Sequence, residues 1–149
     1  MILKTKNKEI KIVIRSRKIA SLTDKLEGKN LNEMFFKGVK ETNLKTLAIF
    51  LEEFSENEDK TKSFNSLDEV YDFIDDLKVE NDKVTYETIY RDLAEEINSM
   101  GFFNKKMTAK ELEKILNDKI PDINVEMIVN KMSEQAGKEL AGEFKGYKA

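Results

Sequence analysis

Apolar side chains three and four residues apart recur in short stripes along almost the whole chain after Ser16. Most stripes are opened by a capping signal or closed by Gly or Pro, and a chain patterned this way folds as a set of short packed helices. Ser66-Leu67-Asp68-Glu69 is a capping box ahead of Leu67, Val70, Tyr71, Ile74 and Leu77. Thr108 and Glu111 form a second box, with Met107 and Leu112 at the positions of a hydrophobic staple and Ile115 and Leu116 following. Asn30 with Glu33 opens a helix carrying Met34, Phe35 and Val39, and Leu44, Leu47, Ala48, Leu51 and Phe54 mark the next, with Glu52, Glu53 and Glu56 outside its stripe. Ile19, Leu22 and Leu26 predict a short helix stopped by Gly28. Tyr86, Ile89, Tyr90, Leu93, Ala94 and Ile97 predict another, starting near Thr85 and ending at Gly101. Pro121 bars helix beyond Ile120, and Asn124 caps a last stripe of Val125, Ile128, Val129, Met132 and Ala136.

One segment departs from this period. In Glu9–Arg15, Ile10, Ile12 and Ile14 alternate with Lys11, Val13 and Arg15, which is the pattern of a strand with one face buried. Ile2-Leu3-Lys4 can pair with it across Thr5–Lys8 as a hairpin, and a hairpin this small needs helices or another chain to pack against. Everything after Ser16 reads as helix and connecting loop, the polar run Asn57–Lys62 being the clearest loop. The expected architecture is mainly α: a small N-terminal β-hairpin or single strand, then six to seven short helices in one domain over residues 1–139. Gly137, Gly142 and Gly146 weaken helix propensity, so residues 140–149 are expected to be a flexible tail.

Composition limits the chemistry. The chain has no His and no Cys, which removes Cys–His and Ser–His nucleophilic pairs, disulfides, and zinc sites built on those ligands. Its scattered glycines form no phosphate-cradling loop. No apolar run approaches the roughly 20 residues that span a bilayer, and Glu9 and Lys11 interrupt the first apolar stretch too early for a signal peptide. A soluble intracellular protein is expected. Charge is sharply segregated: residues 1–48 carry a net +7, 49–99 a net −11 and 100–149 a net +1. Opposite charge in consecutive segments favours antiparallel contact within the chain or head-to-tail contact between copies, and solvated helix faces that happen to segregate are the competing reading.

Carboxylates are the remaining catalytic candidates. Glu52, Glu53 and Glu56, with Asp72, Asp75 and Asp76 on the following helix, would converge on Mg²⁺ if the two faces met. That arrangement resembles the all-helical nucleotide pyrophosphohydrolases of the MazG kind, but neither cluster contains a basic residue to hold phosphate. Solvated helix faces explain the same acids. Arg15, Arg17, Lys18, Lys25 and Lys29 form a basic group that could meet nucleic-acid phosphates, yet no basic recognition helix stands out and the acidic segment opposes binding. These cations are expected to complement the acidic segment or another subunit. No catalytic, cofactor-binding or metal-binding residue is assigned, and nucleic acid is not an expected partner.

At Met100-Gly101-Phe102-Phe103 a helix stops against two adjacent aromatics, followed by Lys105 and Lys106. With Gly101 left-handed, Ile97 and Phe102 occupy the positions that touch in a Schellman stop, whereas Phe103 has no such local explanation. Phe102 and Phe103, with the second adjacent pair Phe35 and Phe36, are candidate apolar anchors for a partner; core packing is the competing reading of each.

Taken in order, the tracts IKIVIRSRKI, NLKTLAIFLEEF, YETIYRDLAEEINSMGFF and KKMTAKELEKIL, with the glycine-bearing end KELAGEFKGYKA, resemble the tail assembly chaperones of long-tailed, siphovirus-type bacteriophages and their prophages. The resemblance covers most of residues 9–120. It implies a non-enzymatic role in the host bacterial cytoplasm: binding the helical tape measure protein, keeping it soluble, promoting assembly of tail-tube protein around it, and leaving before the virion matures. It also implies a longer form made by ribosomal frameshifting, and a homo-oligomer is expected. The family has no catalytic or contact motif to map onto these positions. Arg15, Arg17 and Lys18 are candidates for steering self-assembly against the acidic segment. The alternative is a small helical regulator from a mobile element acting on a protein or DNA partner.

Overall fold

Alternating isoleucines make the hairpin, and helices then cover one of its faces. Strand β1 (Ile2–Lys4) pairs antiparallel with β2 (Glu9–Ile12), setting Ile2 opposite Lys11, Leu3 opposite Ile10 and Lys4 opposite Glu9. Thr5 closes the turn, its hydroxyl accepting the Asn7 and Lys8 N–H groups at 3.2 and 3.1 Å. Ile10, Ile12 and Ile14 all enter the core as their spacing requires, although the strand itself ends at Ile12 rather than Arg15. This computed structural model describes residues 1–118. The helix expected after Asn124, the rest of the 1–139 domain, and the 140–149 tail lie outside the described residues.

Six helices follow among the described residues: α1 (Ser16–Leu22), α2 (Leu31–Glu41), α3 (Leu44–Phe54), α4 (Leu67–Glu80), α5 (Tyr86–Ser99) and α6 (Ala109–Asp118). Asn30 and Ser66, anticipated as caps, and Thr85, at the anticipated start of α5, each accept a backbone N–H from the third residue on. The reciprocal arm of the Ser66 box is displaced by one residue, because Glu69 accepts from the Asn65 N–H at 3.0 Å. At Thr108 both arms form, at 3.1 and 2.9 Å, and the staple residues Met107 and Leu112 are buried. Gly101 is left-handed (φ 79°), with Phe102 N–H donating to Ile97 O and Gly101 N–H to Asn98 O, both at 3.1 Å. Those two bonds are the Schellman pair. Helix α1 stops at Leu22, short of Leu26, and irregular turns carry the chain to Gly28.

The expectation of helix and loop alone after Ser16 is overturned at Ser55–Glu56, which form strand β3 against β2. The sheet runs in the order β1-β2-β3. Glu56, expected on the outward face beyond Phe54, is consequently buried. A two-residue strand has no periodicity to read, and it forms because α3 delivers the chain to the free side of β2.

Helix α3 is the centre of the domain. It packs against α1, α2, α4 and α5, and Leu47, Ala48, Phe50, Leu51 and Phe54 are fully buried. Phe35 sits beside it at the hub of an aromatic cluster, 5.3 Å from Phe50, 5.7 Å from Tyr90 and 5.5 Å from Phe36 between ring centroids. Offset and edge-on ring pairs at such distances add about 0.5–1.5 kcal/mol each beyond the area they bury.

Candidate functional site

The candidate anchors divide on burial. Phe35, Phe36 and Phe103 are 0%, 2% and 5% exposed, and Phe103 lies 5.1 Å from Phe36 and 5.7 Å from Phe35. The two Phe-Phe pairs therefore meet each other: the corner after α5 closes over the start of α2. Phe102 is half-buried at the edge of that cluster. In this conformation three of the four rings face the core, and a partner must reach other residues.

Two hydrogen-bonding amides hold the corner. Asn98, buried on α5, donates from Nδ2 to Met107 O and accepts the Met107 N–H at Oδ1, both at 2.9 Å. Asn32 on α2 accepts the Asn104 N–H at 2.9 Å, and its buried Nδ2 has no partner. Neither asparagine was singled out in the sequence, where no local pattern distinguishes a pinning amide from a solvated one.

The basic candidates also divide. Lys18 is buried on α1, and its Nζ donates to Glu56 Oε2 at 2.6 Å, Val13 O at 3.0 Å and Phe54 O at 3.3 Å. Arg15 reaches the same carboxylate with Nε at 2.7 Å and Nη2 at 3.1 Å. Led by the Arg15 hydrogen bonds, and joined by Lys18, these cations overcome the burial penalty and hold the Glu56 carboxyl down to about 2. Arg17, between them in sequence, is exposed and takes no part.

Of the carboxylates proposed for a metal, the three glutamates are likewise engaged. Lys25 lies 2.9 Å from Glu53 and 3.9 Å from Glu52, and its ammonium is held above its ordinary value first by the Glu53 hydrogen bond. Glu56 faces Arg15 and Lys18 on the sheet side. Asp72 and Asp75 are exposed on α4. Among the described residues no group of three or more acidic side chains is placed to hold a metal ion. Part of the segregated charge thus meets within the chain: Arg15, Lys18 and Lys25 of the basic first segment pair with Glu52, Glu53 and Glu56 of the acidic second one.

What stays open is the other face of the sheet. A groove of about 1120 Å³ runs over it, floored by Lys11, Val13 and Arg15, walled by the loop at Glu58–Lys60 and by Glu96, and edged by Ile2 and Met100. Ile2, Met100 and, away from the groove on α4, Val79 are the exposed large apolar side chains among the described residues, at 60%, 52% and 85%. No protein-family model, curated protein or solved structure matches the chain. The groove is the surface where geometry and chemistry best suit a macromolecular partner: open, and lined by charge of both signs together with exposed apolar side chains. The alternation of Glu9–Arg15 marked the outward face of β2, but that Met100 lines the same groove as Ile2 depends on packing. No helix among the described residues is long and apolar enough to cross a membrane.

Proposed function

We propose that this chain is a non-enzymatic phage tail assembly chaperone that holds the tape measure protein soluble while tail-tube protein assembles around it. The order of its sequence tracts supports the reading, since strand, leucine-rich helix, charged amphipathic helix and lysine-rich capped helix follow as they do in that family. The observation that carries it is the division between engaged and open surface. Glu52, Glu53 and Glu56 are bonded to cations of the first segment, while Ile2 and Met100 stand exposed and line a charged groove. Exposed apolar side chains ringed by charge suit a holder of an apolar, helical client that must itself stay in solution. Arg15 and Lys18 spend their charge on Glu56, which favours this reading over a DNA-binding regulator. On this reading the protein acts in the host bacterial cytoplasm as an oligomer and is absent from the finished virion.

Co-expression of the full chain with fragments of the tape measure protein encoded beside it tests the proposal. A soluble complex is expected, weakened about tenfold or more by Met100→Glu with the fold intact by circular dichroism. Failure of every fragment to co-purify or gain solubility would overturn it.

A further inference from the structure

We infer that β1 is a self-pairing edge, through which two copies of the chain join their sheets antiparallel about a two-fold axis at Leu3. The inference deepens the oligomeric part of the proposed function but rests on the geometry of the edge alone.

The register decides which backbone groups are free. Ile12 N–H donates to Met1 O at 2.9 Å and Thr5 N–H to Lys8 O at 2.8 Å, and Leu3 stands opposite Ile10. Hydrogen-bonded positions alternate along an antiparallel pair, so the N–H and C=O groups of Ile2 and Lys4 point away from β2. No backbone bond from either set of outward groups to another segment is found among the described residues. At the opposite side of the sheet, β3 is bridged by Lys62 at Glu56, so β1 is the open edge. It is also held straight at both ends. The Met1 amino group lies 3.3 Å from Glu96, and the Lys6 N–H reaches both carboxylate oxygens of Glu80 at 3.0 and 3.1 Å. An edge already fixed in position loses little entropy on pairing.

A second copy fits this edge by its own symmetry. Antiparallel pairing about Leu3 sets Ile2 opposite Lys4 of the partner subunit, and two outward positions facing each other exchange both of their bonds. The two-fold then makes four interchain backbone hydrogen bonds from a three-residue strand. No like charges stand opposite one another: Lys4 keeps its own neighbour Glu9 at 3.9 Å, and Ile2 lies against the aliphatic stem of the facing lysine. The register that opposes Lys4 to its own copy places two cations together and is disfavoured. Self-pairing also closes both edges at once, whereas a foreign strand would leave its own second edge open. The exposed Ile2 is thereby covered where it lines the groove.

Sedimentation velocity on the full chain without an N-terminal tag, over a range from micromolar to about millimolar, tests this. A concentration-dependent dimer is expected. Lys4→Pro removes an outward donor without touching a bond to β2, and is expected to weaken the dimer by roughly tenfold or more. Ile2→Lys should do the same by facing a lysine, whereas Ile2→Glu should retain or strengthen it, because a carboxylate then faces Lys4 of the partner subunit. Ile2 is exposed but also stands opposite Lys11 in its own hairpin, so thermal unfolding of both charge variants, read beside the sedimentation, separates a loosened hairpin from a lost dimer. A monomer throughout the range, or a dimer indifferent to Lys4→Pro and to the sign of charge at position 2, would overturn the inference. Capture of tape measure fragments by Lys4→Pro at undiminished strength would separate this edge from the client surface, so the two proposals fail independently.

Discussion

Lys18 Nζ and Glu56 Oε2 lie 2.6 Å apart with both side chains more than nine-tenths buried, and this contact ties the first helix to the end of the sheet. The lysine also bonds Val13 O and Phe54 O, the carbonyls where β2 and α3 meet. Removing one partner of a buried pair leaves an uncompensated charge, which costs more than the pair itself contributes. Glu56→Gln is expected to destabilise the fold by about 3 kcal/mol, read from urea unfolding. Lys18→Met should cost less, because Glu56 keeps Arg15.

The same carboxylate predicts acid behaviour. Its folded value of about 2 lies below the ordinary 4.5, so the folded state binds its proton less readily than the unfolded chain. The stabilisation is therefore fully present above pH 4.5 and is lost as pH falls toward 2. Midpoints of thermal unfolding should drop across that window, and the drop should be smaller in Glu56→Gln. Equal slopes in both proteins would refute the assignment.

Asn98 makes a prediction that depends on which atom donates. Its Nδ2 faces Met107 O and its Oδ1 faces Met107 N–H. Asn98→Asp places a carboxylate oxygen against a carbonyl in a buried site. Asn98→Asp is expected to lose about 2 kcal/mol or more at neutral pH, with part of the loss recovered on mild acidification as the acid becomes a donor. Hydrogen exchange at Met107 should accelerate in parallel.

Helices α2 and α5 end in the same pair of backbone bonds, one around Thr42 and one around Gly101. Thr42 is left-handed at φ 47°, a conformation that strains a β-branched residue; at Gly101, with φ 79°, an added Cβ would touch nothing within 4 Å. Thr42→Gly should stabilise and Gly101→Ala should destabilise, each by up to about 1 kcal/mol. Opposite shifts in melting temperature are the expected readout, and shifts of the same sign would contradict it.

The two corner phenylalanines should separate in the same assay. Phe103→Ala empties the space beside Phe35 and Phe36 and is expected to cost about 3 kcal/mol, whereas Phe102→Ala, at a half-buried site, should cost about 1 kcal/mol. Comparable losses would mean that the corner packs differently.

The helices and their ends were readable because caps, staples and left-handed glycines act within five or six residues. Gly101, Phe102 and Ile97 form their stop with no help from elsewhere in the fold, and the Thr108 box closes the same way. The isoleucine alternation likewise marked which face of β2 would be buried. Strand β3 was not readable, because Ser55 and Glu56 are ordinary helix-exit residues until β2 stands beside them. Helix α1 ends short of Gly28 for a related reason: Leu26 packs against the core from an irregular turn, and its apolar spacing does not distinguish that from a continued helix.

Local spacing and capping chemistry were thus enough for a mainly helical chain with an N-terminal hairpin, since those signals are short-range and each carries its own hydrogen bonds. The partners of the charged and aromatic side chains came only with packing. Lys18 and Glu56 are far apart in sequence, as are Phe36 and Phe103, and such pairs meet only after α3 has gathered the other helices around it. Burial then turned three candidate anchors into core rings and left Ile2 on the edge strand and Met100 at the end of α5 as exposed apolar side chains lining the groove.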